Sequence, residues 1–132
     1  MNPISHITFI VHDLEKAKQF FETVFDAKEI YSSGNKTHSL SKEKFFLIDC
    51  LWIAIMEGDS LPSKTYNHIA FKATIQELDN YETRIRKLGL EIKEGRSRID
   101  GEAQSLYFYD FDNHLFEIHT GTLEQRMTTY KK

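Results

Sequence analysis

Between positions 4 and 11 apolar and polar residues alternate, with Ile7, Phe9 and Val11 on one side of an extended chain and His6, Thr8 and Ile10 on the other. A two-residue period of this kind marks a strand with one covered face. The period then lengthens: Leu14, Ala17, Phe20, Phe21, Val24 and Phe25 recur at helical spacing behind Asp13. An aspartate at that place caps a helix by accepting from its first free N–H groups. Strand patterns follow at 28–33, 44–48 and 51–56, with Gly34-Asn35 turning between the first two and residues 58–64, including Pro62, reading as a linker. The order then repeats. A strand at 66–73 sets Ile69 and Phe71 against His68 and Ala70, and Thr74 with Glu77 has the spacing of a capping box. Leu78, Tyr81, Ile85 and Leu88 form the next apolar stripe, which Gly89 stops. Strands near 90–93, 105–109 and 115–120 close the pattern, with Asp112-Asn113 as the last hairpin turn. Thr122 and Gln125 open a final helix as a further capping box.

The repeat is also one of residues. His6-Ile-Thr-Phe opens the first half and His68-Ile-Ala-Phe the second. Two tandem β-α-β-β-β modules in an α+β fold are the most economical description. The pattern predicts a single domain over 1–132, with module one at about 4–58, a linker at about 59–65, module two at about 66–121 and a C-terminal helix at about 122–130. Each sheet has one face for its helix. The other face, carrying His6 or His68, has nothing within its own module to cover it, so another module or subunit must do so. Two such sheets can curl into a barrel-like cavity that the histidines line.

Composition changes this picture by exclusion. The 132 residues are 40% hydrophobic and 28% charged, an ordinary globular balance that argues against long disorder. Net charge is -3 and there is no basic run, which disfavours nucleic acid as a partner, since phosphate neutralisation needs clustered cations. The single cysteine, Cys50, rules out an internal disulfide framework and fits a reducing compartment. With no apolar run of membrane-spanning length and no signal-peptide pattern, a cytoplasmic protein without membrane partners is expected.

Aligning the module ends on Gly58 and Gly121 lays Trp52-Ile-Ala-Ile-Met-Glu-Gly over Leu115-Phe-Glu-Ile-His-Thr-Gly, so that Glu117 stands where the first module has Ala54. Two imidazoles at matching strand positions plus one carboxylate make a three-ligand metal site of His6, His68 and Glu117, its fourth symmetric corner left vacant by Ala54. Three protein ligands with open positions are what a catalytic metal needs to accept water or substrate. Imidazole with carboxylate suits Mn, Fe, Zn or Ni without choosing among them. A lone strand histidine is more often a hydrogen-bonded polar residue than a ligand; the matched repeat and common facing carry the metal reading. His119 shares the face of Glu117 by strand parity and is the alternative ligand. His12, His38 and His114 fall in loops or at strand edges, as solvated side chains. Asp110-Phe-Asp112 lacks the glycine and distal glutamate of a calcium loop and reads as a turn.

These paired modules with His, His and Glu resemble the vicinal oxygen chelate superfamily, which includes glyoxalase I, extradiol dioxygenases and bleomycin-binding proteins. Ser5-His-Ile-Thr-Phe, Asn67-His-Ile-Ala-Phe and the run from Ser105 through Glu117 to Leu123 are similar to the motifs of fosfomycin resistance proteins within it. Ile30-Tyr-Ser-Ser-Gly and Ser39-Leu-Ser-Lys-Glu-Lys-Phe-Phe-Leu-Ile resemble the FosX branch, which hydrates the drug. The resemblance implies Mn2+, or another divalent metal, on the phosphonate and epoxide oxygens of fosfomycin, and water as nucleophile. It gives Glu43 the role of general base, although Lys42-Glu43-Lys44 on its own reads as a charged hairpin edge at the surface. It places Arg126, Ser105 and Tyr107 around the phosphonate with Tyr66 nearby, although Arg126 alone reads as a solvated helix charge. Trp52 and Thr8 join the substrate residues, Trp52 being equally a core side chain, and Lys93, Arg96 or Arg98 supplies a further cation. It also implies a homodimer in which modules of different chains pair, each site taking His6 from one protomer and His68 and Glu117 from the other. The competing functions are thiol transfer to the same epoxide from glutathione, cysteine or bacillithiol, non-catalytic sequestration of a small molecule, and hydration of another phosphonate epoxide.

Overall fold

The computed structural model describes residues 3–93 and 103–131. The chain divides into two compact units, one running to Lys64 and including Asp110–Asn113, the other comprising Thr65–Tyr109 and His114 onward.

In the first unit β1 (His6–Val11) leads into α1 (Leu14–Phe25), followed by β2 (Lys28–Ser32), β3 (Glu43–Ile48) and β4 (Leu51–Glu57). The sheet order is β1-β4-β3-β2, with β1 parallel to β4 and the remaining pairs antiparallel. The Asp13 side chain accepts from the amides of Glu15 and Lys16, and Asp26, in the left-handed conformation, ends α1. The apolar stripe of α1 buries Ala17, Phe20, Phe21, Val24 and Phe25 against Phe9, Val11, Phe46, Ile53 and Ile55 of the sheet. Phe21 meets Phe46 with ring centroids 5.9 Å apart. At about 1.5–3 kcal/mol for each large apolar side chain fully withdrawn from water, this interface is the main stabilising term of the unit. The Asp110–Asn113 turn completes it: Asp112 accepts from the His12 amide at 2.8 Å and from Ser60 Oγ at 2.6 Å.

The second unit repeats the plan with β5 (His68–Lys72), α2 (Ile75–Lys87), β6 (Ile92–Lys93), β7 (Ser105–Tyr109), β8 (Leu115–His119) and α3 (Leu123–Tyr130). Its sheet runs β5-β8-β7-β6 with the same parallel edge pair. The capping boxes at Thr74/Glu77 and Thr122/Gln125 both form. Gly89 takes a φ of 73° beyond the end of α2, a conformation that suits glycine. Here the helix is held by less, since Leu78 and Ile85 are the buried residues of α2.

Register bears out the alignment of the modules. His6 pairs with Trp52 and Thr8 with Ala54, as His68 pairs with Leu115 and Ala70 with Glu117. The faces opposite the helices are open along their β1 and β5 edges, where His6, Thr8 and Ile10 are exposed on one sheet and His68, Ala70 and Lys72 on the other, while Glu43 and Glu117 further in are buried. Both sheets are four-stranded and open rather than closed barrels. Among the described residues no helix is long and apolar enough to cross a membrane.

Candidate metal and substrate site

The open face of the second sheet gathers the most chemistry. Cross-strand pairing puts His68, Ala70 and Lys72 of β5, Leu115, Glu117 and His119 of β8, and Ser105, Tyr107 and Tyr109 of β7 on one surface. Glu117 is 4% exposed, so its carboxylate has given up most of its water and needs compensating partners. Ser105 Oγ stands 2.6 Å from Oε2, and His68 Nε2 stands 3.0 Å from Oε1.

Proton counting shows what the His68–Glu117 pair is suited to hold. His68 Nδ1 is 2.7 Å from the Tyr66 carbonyl oxygen. A carbonyl only accepts, so Nδ1 carries a proton, and a ring with that one proton turns its Nε2 lone pair toward Glu117 Oε1. At 3.0 Å such an imidazole nitrogen and a carboxylate oxygen call for a cation or a proton between them. An imidazole whose other nitrogen donates to a backbone carbonyl is the usual arrangement of a metal ligand. The donor set of imidazole nitrogen and carboxylate oxygen therefore fits a divalent metal.

A cleft of about 290 Å³ opens beside this pair, lined by His68, Ala70, Glu117, His119 and Arg126 among others. Arg126 brings positive charge to it from the second turn of α3, its Nη2 3.5 Å from His119 Nε2. Tyr107 and Tyr66 stand with hydroxyl oxygens 3.4 Å apart. Burial above all, then the Tyr66 hydroxyl and the Glu117 charge, push the Tyr107 phenol above its ordinary value, so it stays a protonated donor. The Lys93 ammonium lies 5.6 Å from the Tyr109 ring centre, and Lys93 pairs with Tyr107 across β6 and β7. Arg96 and Arg98, the other expected cations, lie outside the described residues.

The first unit holds the remaining candidates on its own open face. His6 stacks on Trp52 with ring centroids 4.0 Å apart, and Ser5 Oγ lies 3.0 Å from its Nδ1. Thr8 is exposed one row along. Trp52 Nε1 is buried without a hydrogen-bond partner. Glu43 corrects the expectation of a surface charge: it is 8% exposed, and among the described residues its Oε2 accepts no hydrogen bond. The reason is alternation. Glu43 pairs with Met56, which pairs with Ile10, so its side chain lies on the same face as His6. Lys44 turns the other way and meets Glu29 at 3.1 Å and Glu15 at 3.4 Å, so the Lys42-Glu43-Lys44 run is not a solvated edge. An unsatisfied buried carboxylate oxygen costs on the order of 1–3 kcal/mol, a cost that calls for a functional explanation.

The second unit thus joins two of the three expected ligands, and His6 stands on the first. Among the described residues no three His, Cys, Asp or Glu side chains are gathered as a metal set. Ser105, expected on the phosphonate, has its hydroxyl on Glu117 and His119. Lys72 was missed by sequence reasoning; the two-residue period counted on from His68 would have placed it on this face. His12 and His38 are exposed, as expected.

Comparison with known proteins adds three findings. The family model described as the Glyoxalase/Bleomycin resistance protein/Dioxygenase superfamily matches residues 3–118. The chain is 63% identical to fosfomycin resistance protein FosX of Listeria innocua serovar 6a over 98% of this chain and 97% of that one. A crystal structure of a mutant FosX from Listeria monocytogenes, complexed with Mn(II) and 1S,2S-dihydroxypropylphosphonic acid, superposes with a TM-score of 0.88 at 58% identity, covering 98% of both chains.

Proposed function

Because the chain belongs to the glyoxalase/bleomycin resistance protein/dioxygenase superfamily, we propose that it is an Mn2+-dependent fosfomycin hydratase, adding water to the oxirane to give a vicinal diol. The observation that carries the reading is Glu43, a buried carboxylate with an unpartnered oxygen on the face that bears His6. Water is a poor nucleophile at neutral pH, whereas a thiol would not need such a base; a positioned base contributes about 10²–10⁴-fold. The diol held by the similar Listeria structure differs from an epoxypropylphosphonate by one water and carries no C–S bond, which favours hydration over thiol transfer.

In this reading His68, Glu117 and His6 hold the metal, which when bound supplies Lewis-acid stabilisation of the negative charge that develops as the ring opens. Glu43 takes the proton of the attacking water, which approaches carbon opposite the breaking C–O bond. Arg126 and the protonated Tyr107, with Tyr66 beside it, orient the phosphonate by charge-assisted hydrogen bonds. Trp52 and Thr8 line the substrate's approach on the His6 face, and Lys93, Arg96 or Arg98 adds a cation. Ser105 serves the site by orienting Glu117.

The reading includes a homodimer whose modules pair between chains, each site combining His6 of one protomer with His68 and Glu117 of the other. It rests on the exposed β1 and β5 edges of the two faces and on the separation of the proposed ligands between the units. The free Cys50 accords with a cytoplasmic location. The test is phosphorus NMR of fosfomycin with the Mn2+-loaded protein and no thiol. Diol formation is expected; an unchanged drug that reacts only once glutathione, cysteine or bacillithiol is added would overturn hydration. Failure of the protein to retain Mn2+ in equilibrium dialysis would point instead to sequestration.

A further inference from the structure

His119 shares the face of Glu117, yet its ring is turned to Ser105 and Arg126. Ser105 Oγ lies 2.7 Å from His119 Nδ1 and 2.6 Å from Glu117 Oε2, while Nδ1 itself is 3.2 Å from Oε2. The hydroxyl has one proton, and an ionised carboxylate only accepts. If Nδ1 offered a lone pair, it would compete with Glu117 for that proton and set two acceptors against each other at 3.2 Å. Nδ1 therefore carries a proton, which leaves Ser105 free to donate to Oε2. At the far edge of the ring Nε2 faces the Arg126 guanidinium, a group that only donates. Nε2 is consequently the acceptor of that pair.

Donors and acceptors then run in one direction: from Arg126 to Nε2, from Nδ1–H to Ser105, and from Ser105 to Oε2. Oε2 is occupied by this chain, whereas Oε1 faces the His68 lone pair. We propose that His119 is a positioning residue that joins the two halves of the site, holding Glu117 so that Oε1 alone faces the metal and holding the Arg126 guanidinium at the cleft where the phosphonate binds. The proposal rests on the metal-dependent reading above. A ring fixed at both nitrogens ties the geometry of the ligand to that of the anion-binding cation. His119 is then a partner of a ligand rather than a ligand itself.

Two substitutions separate the two ends of the ring. In His119→Asn the amide nitrogen replaces Nδ1–H but the Nε2 contact with Arg126 is lost; in His119→Gln the amide oxygen replaces Nε2 but the Nδ1–H contact with Ser105 is lost. Mn2+ affinity is read from the electron paramagnetic resonance signal of the free aqua ion, without turnover, and kcat and KM for fosfomycin from phosphorus NMR. His119→Asn is expected to keep Mn2+ affinity within roughly threefold and to raise KM about tenfold, and His119→Gln to weaken Mn2+ about tenfold with KM at saturating metal little changed. Loss of both properties in both variants would reduce His119 to a packing residue and overturn the proposal, as would wild-type values throughout. If the wild-type protein opens the epoxide only with thiol, hydration falls while Mn2+ affinity and KM still judge His119.

Discussion

Glu43 and Lys44 are adjacent charges that a strand sends to opposite faces, where they meet opposite circumstances. Glu43 is buried with an oxygen that has no hydrogen-bond partner among the described residues, so replacing it by Gln keeps the volume and removes the proposed base. Glu43→Gln is expected to slow diol formation by about 10²–10⁴-fold and to leave Mn2+ affinity unchanged in the same dialysis used for the wild type. Burial pulls the Lys44 ammonium down, but Glu29 and Glu15 outweigh it and hold its pKa above the ordinary lysine value. The folded chain therefore binds this proton more tightly than the unfolded chain. The stabilisation is complete below the unfolded lysine value and is lost as pH rises through the higher folded value. In urea melts between neutral and strongly alkaline pH, the excess stability of wild type over Glu29→Gln should shrink across that window; a constant difference would remove Lys44 from the account. Neither fate was legible in the Lys-Glu-Lys run, since charge composition records no facing. The His68–Glu117 pair was legible, because strand parity and the internal repeat both encode facing.

At the scale of elements, caps and apolar periods placed every helix, since each signal is local. Asp13, Thr74 and Thr122 cap α1, α2 and α3 as their side chains predict. Strand ends were less legible because pairing partners set them: β3 begins at Glu43, one residue earlier than its apolar pattern, where Glu43 meets Met56. Among the described residues β6 is Ile92–Lys93, beginning two residues later than its pattern. The matched glycines at the module ends have a reason that only contacts reveal. A Cβ on Gly58 would come 2.6 Å from Ile10 Cγ2, and one on Gly121 would collide with Ala103 Cβ and come 3.0 Å from His119 Nε2. Of the local signals, the α1 cap is the most directly measurable, because two amides depend on one side chain at 2.9 and 3.1 Å. Asp13→Ala is expected to cost about 1 kcal/mol, seen as a lower urea midpoint with an unchanged slope. An unaltered midpoint would mean that the buried stripe alone fixes where α1 starts.

For the whole molecule the decisive fact is the distribution of the proposed ligands, with His6 on the first unit and His68 and Glu117 on the second. The repeat announced two equivalent strands. It could not announce which chain supplies each, because in the proposed homodimer one sequence serves both protomers. Ile10, Tyr31 and Tyr66 remain exposed beside the site faces, apolar surface that a second copy would cover. Subunit mixing tests the arrangement without a crystal. His6→Ala and His68→Ala homodimers should each be inactive, every site lacking a ligand. If sites are built across protomers, a mixed dimer has one site missing both histidines and one site with neither missing. If each site is built within one chain, both sites of the mixed dimer lack a ligand. Equal mixing with random reassembly makes about half the dimers mixed, so activity should recover to about a quarter of wild type, with tight Mn2+ in the same proportion. No recovery, with exchange verified by mass-tagged chains, would assign all three ligands to a single protomer.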